Sequence, residues 1–208
     1  MTSDAERRRA YAALSVLLQY PDAVVPSLLP QLRAMVDALD SRGSGGFTSF
    51  LDWLEATPLL QAQSHYVELF DRKRRACLYL SYYLNGDTRR RGMAIVEFKE
   101  LYRSAGWSPT DDELPDFLPT LLQFSAAADV EAGEAVLASH RSGLVVLDTA
   151  LRDAGSPYRE LSAVLLGLVP AGHEADTQAQ ALIAAGPPTE LVGLEPFAAA
   201  ETAGVGAR

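Results

Sequence analysis

Hydrophobic residues recur at helical spacing along most of the chain. Near its start, Tyr11, Leu14, Leu17 and Leu18 share one face of a helix predicted over about 4–20, which Pro21 ends. The same spacing predicts further helices after Pro26, at 47–54, over 59–85 as one or two helices, at 88–106, and at 116–128, 130–140, 142–154, 157–170 and 175–185.

Glycine, proline and polar residues separate these segments. Ser41–Gly46 and Trp107–Pro115 are predicted as loops, and Gly186 opens a tail rich in alanine and glycine. Runs of alternating β-branched residues, which would indicate strands, are not found. The pattern therefore predicts an all-α fold: one globular domain of about eight to ten helices over 1–185, followed by a flexible, disordered tail over 186–208.

The overall charge argues against a nucleic-acid partner. The 208 residues carry a formal net charge of -9, whereas nucleic-acid-binding proteins usually present a basic surface. Cys77 is the single cysteine, so no internal disulfide can form. The N-terminus lacks an apolar signal region, and no apolar stretch is long enough for direct membrane insertion. A cytoplasmic location is expected.

A basic cluster interrupts this acidic chain. Arg72, Lys73, Arg74 and Arg75 are consecutive, and Arg89–Arg91 follow. The cluster is either a solvated helix face paired with nearby carboxylates or a contact for phosphate or nucleotide. In the second case the candidate anion contacts are Arg72, Arg74, Arg75 and Arg89.

Residue types that support catalysis are sparse. His65, His140 and His173 lie far apart, and no spacing typical of a zinc site occurs. The apolar neighbours of Cys77 predict a buried thiol rather than a nucleophile. Neither a P-loop nor a nucleophile elbow is present. The sequence therefore favours a protein that is not an enzyme and holds no metal, with an enzyme of unrecognised type as a weaker alternative.

Two segments carry residues suited to recognising a polypeptide. Tyr79, Tyr82 and Tyr83 either belong to the core or line a groove, because tyrosine combines apolar area with a polar tip. In the segment Glu113-Leu-Pro-Asp116, the aspartate either caps the following helix or faces a ligand. Glu113 lies outside that helix and is free to meet a cationic group.

Together these residues resemble a known family. The stretch Tyr66–Trp107 (YVELFDRKRRACLYLSYYLNGDTRRRGMAIVEFKELYRSAGW), followed by ELPDFLPTLLQF, is similar to the NarJ type of molybdenum-enzyme assembly chaperone, the nitrate reductase delta subunit family. Related chaperones of trimethylamine-oxide and dimethyl-sulfoxide reductases carry a histidine after the Pro-Asp pair. Phe117 occupies that position here, as is usual in the nitrate reductase branch.

The resemblance implies an all-helical cytoplasmic chaperone. Such a chaperone binds the N-terminal peptide of the apo catalytic (alpha) subunit of a respiratory nitrate reductase and holds it ready for insertion of the molybdenum–guanine dinucleotide. It binds no cofactor permanently and handles the dinucleotide only through its client. The alternative is a carrier of guanine nucleotide or cofactor in the same maturation step. The positions predicted to bind the peptide are Tyr79, Tyr83, Asp87, Arg91, Glu113 and Asp116.

Overall fold

The computed structural model describes residues 3–109 and 113–188, without the side chains of residues 41–43. Within these ranges the chain forms eleven α-helices and no β-strand, so the predicted all-α class is confirmed with slightly more helices than expected. The helices are α1 (Asp4–Leu17), α2 (Val25–Asp37), α3 (Ser41–Ala56), α4 (Leu59–Tyr66), α5 (Leu80–Asn85), α6 (Arg89–Ser104), α7 (Leu118–Ala127), α8 (Val130–Ser139), α9 (Arg141–Asp153), α10 (Tyr158–Leu168) and α11 (His173–Ala185).

One continuous core connects these helices. Helix α1 lies along α7, α10 packs between α3 and α9, and α11 covers α9. Tyr158 lies near the centre of an aromatic group, with ring centroids 4.8 Å from Phe50 and 4.9 Å from Phe70. Because buried aromatic rings remove large apolar areas from water, this group stabilises the packing of α3 and α10.

The prediction of a loop at Ser41–Gly46 is wrong, because α3 begins at Ser41. Tertiary packing explains the difference at Gly46, which faces α10. A β-carbon added there would lie 2.7 Å from Val164 Cγ2 and 2.9 Å from the Glu160 carbonyl oxygen. Glycine therefore lets α3 and α10 approach closely, and this packing outweighs its low helix propensity.

The segment predicted as one or two helices over 59–85 is more broken than its periodicity suggested. Helix α4 continues into a π-helical turn, Val67–Asp71, and a 3-10 turn follows at Arg74–Ala76. Helix α5 then ends at Gly86, whose φ of 56° is a backbone conformation that favours glycine.

Two further observations bear on the boundaries of the fold. Among the described residues, none of the helices has both the length and the apolar character needed to cross a membrane. The predicted tail falls mostly on residues 189–208, which lie outside the described residues. Its disorder therefore stays a prediction.

Candidate functional site

Two segments that are distant in sequence meet at the start of α7. The amide of Leu80 donates to the Asp116 carbonyl at 2.9 Å, and the amide of Leu118 donates to the Leu78 carbonyl at 2.7 Å. These bonds form an isolated antiparallel bridge between Tyr79 and Phe117, whose rings lie 5.3 Å apart. Backbone hydrogen bonds thus hold Tyr79 beside the Glu113–Asp116 segment.

Asp116 is the most deeply placed ionisable residue of this site. It is 0% exposed, and its Oδ2 accepts a hydrogen bond from Ser81 Oγ. Its Oδ1 is buried and has no hydrogen-bond partner among the described residues. The cap interpretation is wrong, because Phe117 occupies the N-cap of α7 and the helix receives no side-chain cap bond. An unpaired buried carboxylate oxygen carries a desolvation cost that a ligand donor would relieve.

Arg91 crosses from α6 toward that carboxylate. Its guanidinium lies 3.9 Å from Asp116 Oδ2 and 3.4 Å from the exposed Asp87. It also lies over two tyrosine rings, 5.6 Å from the centroid of Tyr79 and 5.8 Å from that of Tyr82. Arg91 Nε is buried without a partner among the described residues. The site therefore contains a buried donor and a buried acceptor that have no partner among the described residues.

Tyr79 and Glu113 form the outer edge of the site. The Tyr79 hydroxyl donates to the Glu113 carboxylate at 2.8 Å. Burial and the neighbouring Glu113 raise the pKa of Tyr79, so the phenol keeps its proton and remains a donor. Glu113 is exposed, as is Asp87 on the other side of Arg91. A cationic ligand would meet these two carboxylates first.

Tyr83 does not share this surface. It is fully buried, and its hydroxyl donates to the Cys77 carbonyl at 2.7 Å. Its ring packs against α9, where a β-carbon on Gly143 would lie 2.7 Å from the ring. The structure therefore brings together five of the six predicted residues and places Tyr83 in the supporting core.

Two residues outside the predicted set complete the site. Ser81 is buried and donates to Asp116, and Tyr82 supplies the second ring under Arg91. The sequence offered a signal for Tyr82, which belongs to the run of tyrosines. For Ser81 it offered none, since a serine in a helix usually bonds to a nearby backbone carbonyl.

The predicted anion contacts are exposed arginines on two segments of the chain. Arg72, Arg74 and Arg75 are exposed on the irregular segment after α4, and Arg89 is exposed at the start of α6. Arg91, which was expected to assist them, is committed to carboxylates and tyrosine rings. A contact of these arginines with phosphate stays a prediction.

Cys77, two residues before Tyr79, is partly buried. Burial raises the pKa of the Cys77 thiol, which disfavours the nucleophilic thiolate. Among residues 3–109 and 113–188, no cluster of three or more histidine, cysteine or carboxylate side chains could hold a metal ion. The arrangement suits recognition through hydrogen bonds and aromatic contact.

Comparison with known proteins gives a consistent result. A family model described as the nitrate reductase delta subunit matches residues 36–163. The probable nitrate reductase molybdenum cofactor assembly chaperone NarJ of Bacillus subtilis is 34% identical over 164 residues, which cover 77% of this chain and 88% of that protein. NarJ of Escherichia coli, named as the same kind of chaperone, is 31% identical over 80% of this chain and 72% of its own length.

A different kind of relative matches only through a part of its length. The nitrate reductase-like protein NarX of Mycobacterium tuberculosis is 39% identical over 151 residues, covering 73% of this chain but 23% of that protein. The family match spans most of the helical core and every residue of the site described above. The chain therefore belongs to the nitrate reductase delta subunit family.

Proposed function

We propose that this protein is a non-catalytic chaperone for the catalytic subunit of a respiratory nitrate reductase. It binds the N-terminal peptide of the apo subunit and keeps that subunit competent for insertion of the molybdenum–guanine dinucleotide before membrane attachment. The similarity to relatives named as molybdenum cofactor assembly chaperones supports a role in cofactor insertion. Peptide recognition is supported by Asp116 Oδ1 and Arg91 Nε, two buried polar atoms without a hydrogen-bond partner in residues 3–109 and 113–188.

The two atoms suit a peptide because they offer complementary hydrogen bonds. Asp116 Oδ1 can accept from a peptide N–H or a cationic side chain, and Arg91 Nε can donate to a peptide carbonyl. A hydrogen bond to a charged group contributes about 1.5–3 kcal/mol when it gives a partner to a buried atom that had none. Tyr79 and Phe117 supply aromatic surface next to these groups, as peptide anchors require.

A peptide must displace part of the protein to reach Asp116, and α6 provides the movable wall. Of its described side chains only Phe98 and Tyr102 are buried, and both lie in its C-terminal half. The Tyr102 hydroxyl donates to the Pro115 carbonyl at 2.7 Å, which anchors that half. The N-terminal half has no buried side chain among those described, and its Arg91 contacts Asp116 and the rings of Tyr79 and Tyr82. Its displacement opens a groove in which an amphipathic helix can lie.

Titration calorimetry with a peptide from the N-terminus of the cognate catalytic subunit tests this function. We expect saturable binding whose Kd rises a few-fold in Glu113→Gln, because Glu113 attracts a basic peptide at the edge of the site. Glu100→Gln is the matched control. Glu100 is an exposed carboxylate on α6 that pairs with Arg103 and lies outside the site.

Two results would contradict the proposal. One is the absence of binding by a protein that circular dichroism shows to be folded. The other is an equal loss of affinity in both glutamine variants, which would indicate attraction by net charge alone.

A further inference from the structure

Four consecutive cations lie on an irregular part of the backbone. Residues 72–75 are all exposed, and their side chains make no ion pair or hydrogen bond with any described residue. The pairing with Glu68 and Asp71 that helical spacing suggested is therefore not found within residues 3–109 and 113–188. In a continuous helix, four successive side chains would spread around the cylinder and one would face inward. Because the π-helical turn after α4 ends at Asp71, all four side chains reach solvent.

Exposed apolar side chains lie next to Arg72, the first of these cations. Leu60 on α4 is 75% exposed and Tyr20 is 46% exposed. Together with Val67 and Arg72 they line a surface depression of about 260 Å³. Gln63 Nε2 donates to the Pro21 carbonyl at 2.9 Å and so fixes α4 against the turn that carries Tyr20.

We propose that this apolar–basic face, formed by Tyr20, Leu60 and residues 72–75, adsorbs to the surface of an anionic phospholipid bilayer. Arginine and lysine attract lipid phosphates, and tyrosine and leucine settle at the level of the headgroups. Leu60, at the edge of this shallow depression, is largely exposed, so a fluid lipid surface can surround its side chain. An acidic protein partner would need a matching pocket. The proposal concerns adsorption at the surface and uses no residue of the peptide site.

The uneven charge of the protein determines which face can contact an anionic membrane. Residues 68–75 carry four cations and two carboxylates, a net of 4 - 2 = +2. The whole chain has a net charge of -9, so most of its surface is repelled by an anionic membrane. Adsorption therefore requires this face to turn toward the lipid, and salt should weaken the contact, because the Debye length falls from about 10 Å at 0.1 M to about 3 Å at 1 M.

Sedimentation of the full chain with lipid vesicles tests the proposal. We expect binding to phosphatidylcholine vesicles that contain about one-third phosphatidylglycerol, and none to vesicles of phosphatidylcholine alone. Each cation removed should lower the partition coefficient about fivefold, so Arg72→Gln with Lys73→Gln should lower it about 25-fold. Leu60→Ser should lower it roughly three- to tenfold.

Matched variants separate this face from the protein's charge in general. Arg90→Gln with Lys99→Gln removes two exposed cations from α6, and Met93→Ser removes an apolar side chain that is 63% exposed on the same helix. Neither should change vesicle binding more than about twofold. Equal losses in the two cation pairs would overturn the proposal. So would binding of polyglutamate through residues 72–75 without binding of vesicles, since the face would then fit an acidic polypeptide.

Discussion

The unpaired oxygen of Asp116 leads to a prediction that separates binding from stability. The chain contains a second buried aspartate in a similar setting, but with both oxygens used. Asp148 Oδ1 accepts from Ser162 Oγ at 2.6 Å, and Oδ2 accepts from Arg152 Nε at 2.6 Å. Asp116 also accepts from a serine and lies near an arginine, yet its Oδ1 has no partner among the described residues. Asp148 is thus a matched control.

Replacement by asparagine should mainly weaken peptide binding at Asp116 and mainly lower the free energy of unfolding at Asp148. In Asp116→Asn the carboxamide has one acceptor oxygen instead of two and no charge, so Ser81 and the client cannot both donate to it; binding loses about 1.5–3 kcal/mol, which raises Kd roughly tenfold to hundredfold. The free energy of unfolding should fall by only about 1 kcal/mol, because the loss of the charged contacts with Ser81 and Arg91 is partly offset by the removal of a buried charge.

In Asp148→Asn both partners lose a charged acceptor. Arg152 is more than half exposed, so solvent screens its share of the loss. The bond from Ser162 is buried, and we expect a total loss of about 1–3 kcal/mol in unfolding free energy with an unchanged Kd. Urea unfolding and peptide titration on the same samples measure both quantities. If Asp116→Asn binds the peptide as tightly as the native chain, the assignment of Asp116 as a peptide contact is refuted.

Two further predictions concern folding. Gly46→Ala should lower the free energy of unfolding by about 1–3 kcal/mol in urea titrations, because its β-carbon would meet Val164 and the α10 backbone. Gly45→Ala, where a β-carbon meets nothing within 4 Å, should instead be neutral or stabilise α3; equal losses in the two variants would refute the packing argument. Burial lowers the pKa of His65 and His140, so the unfolded state takes up protons first and stability should fall as pH drops below about 6.5. Thermal unfolding between about pH 8 and pH 5 measures this slope, and His65→Gln should reduce it; a slope unchanged in that variant would exclude His65 as a source.

Periodicity predicted most helices because their apolar stripes reflect one shared core. The first helix was expected at 4–20 and is found at Asp4–Leu17, and the helix expected at 130–140 is found at Val130–Ser139. The prediction was wrong at Ser41–Gly46, since local propensity cannot show that α10 approaches a glycine there. Tertiary packing outweighs local preference at that point.

The sequence singled out the candidate residues, but it could not show how they contact one another. The resemblance singled out Tyr79 and Asp116, yet their contact depends on a bridge between segments almost forty residues apart, which spacing cannot reveal. The same limit explains why the sequence could not decide whether Tyr83 belongs to the core or lines a groove. Only the approach of Gly143 on another helix shows that the ring belongs to the core.

The bridge between Tyr79 and Phe117 has a consequence for the evolution of client choice. The bonds that close it join the backbones of Leu80 and Asp116 and of Leu78 and Leu118, so they do not depend on the side chains at positions 79 and 117. Mutation can exchange those side chains while the scaffold persists. Under the proposed function, a lineage can therefore acquire a new client by drift at these half-buried positions, without passing through an unfolded ancestor.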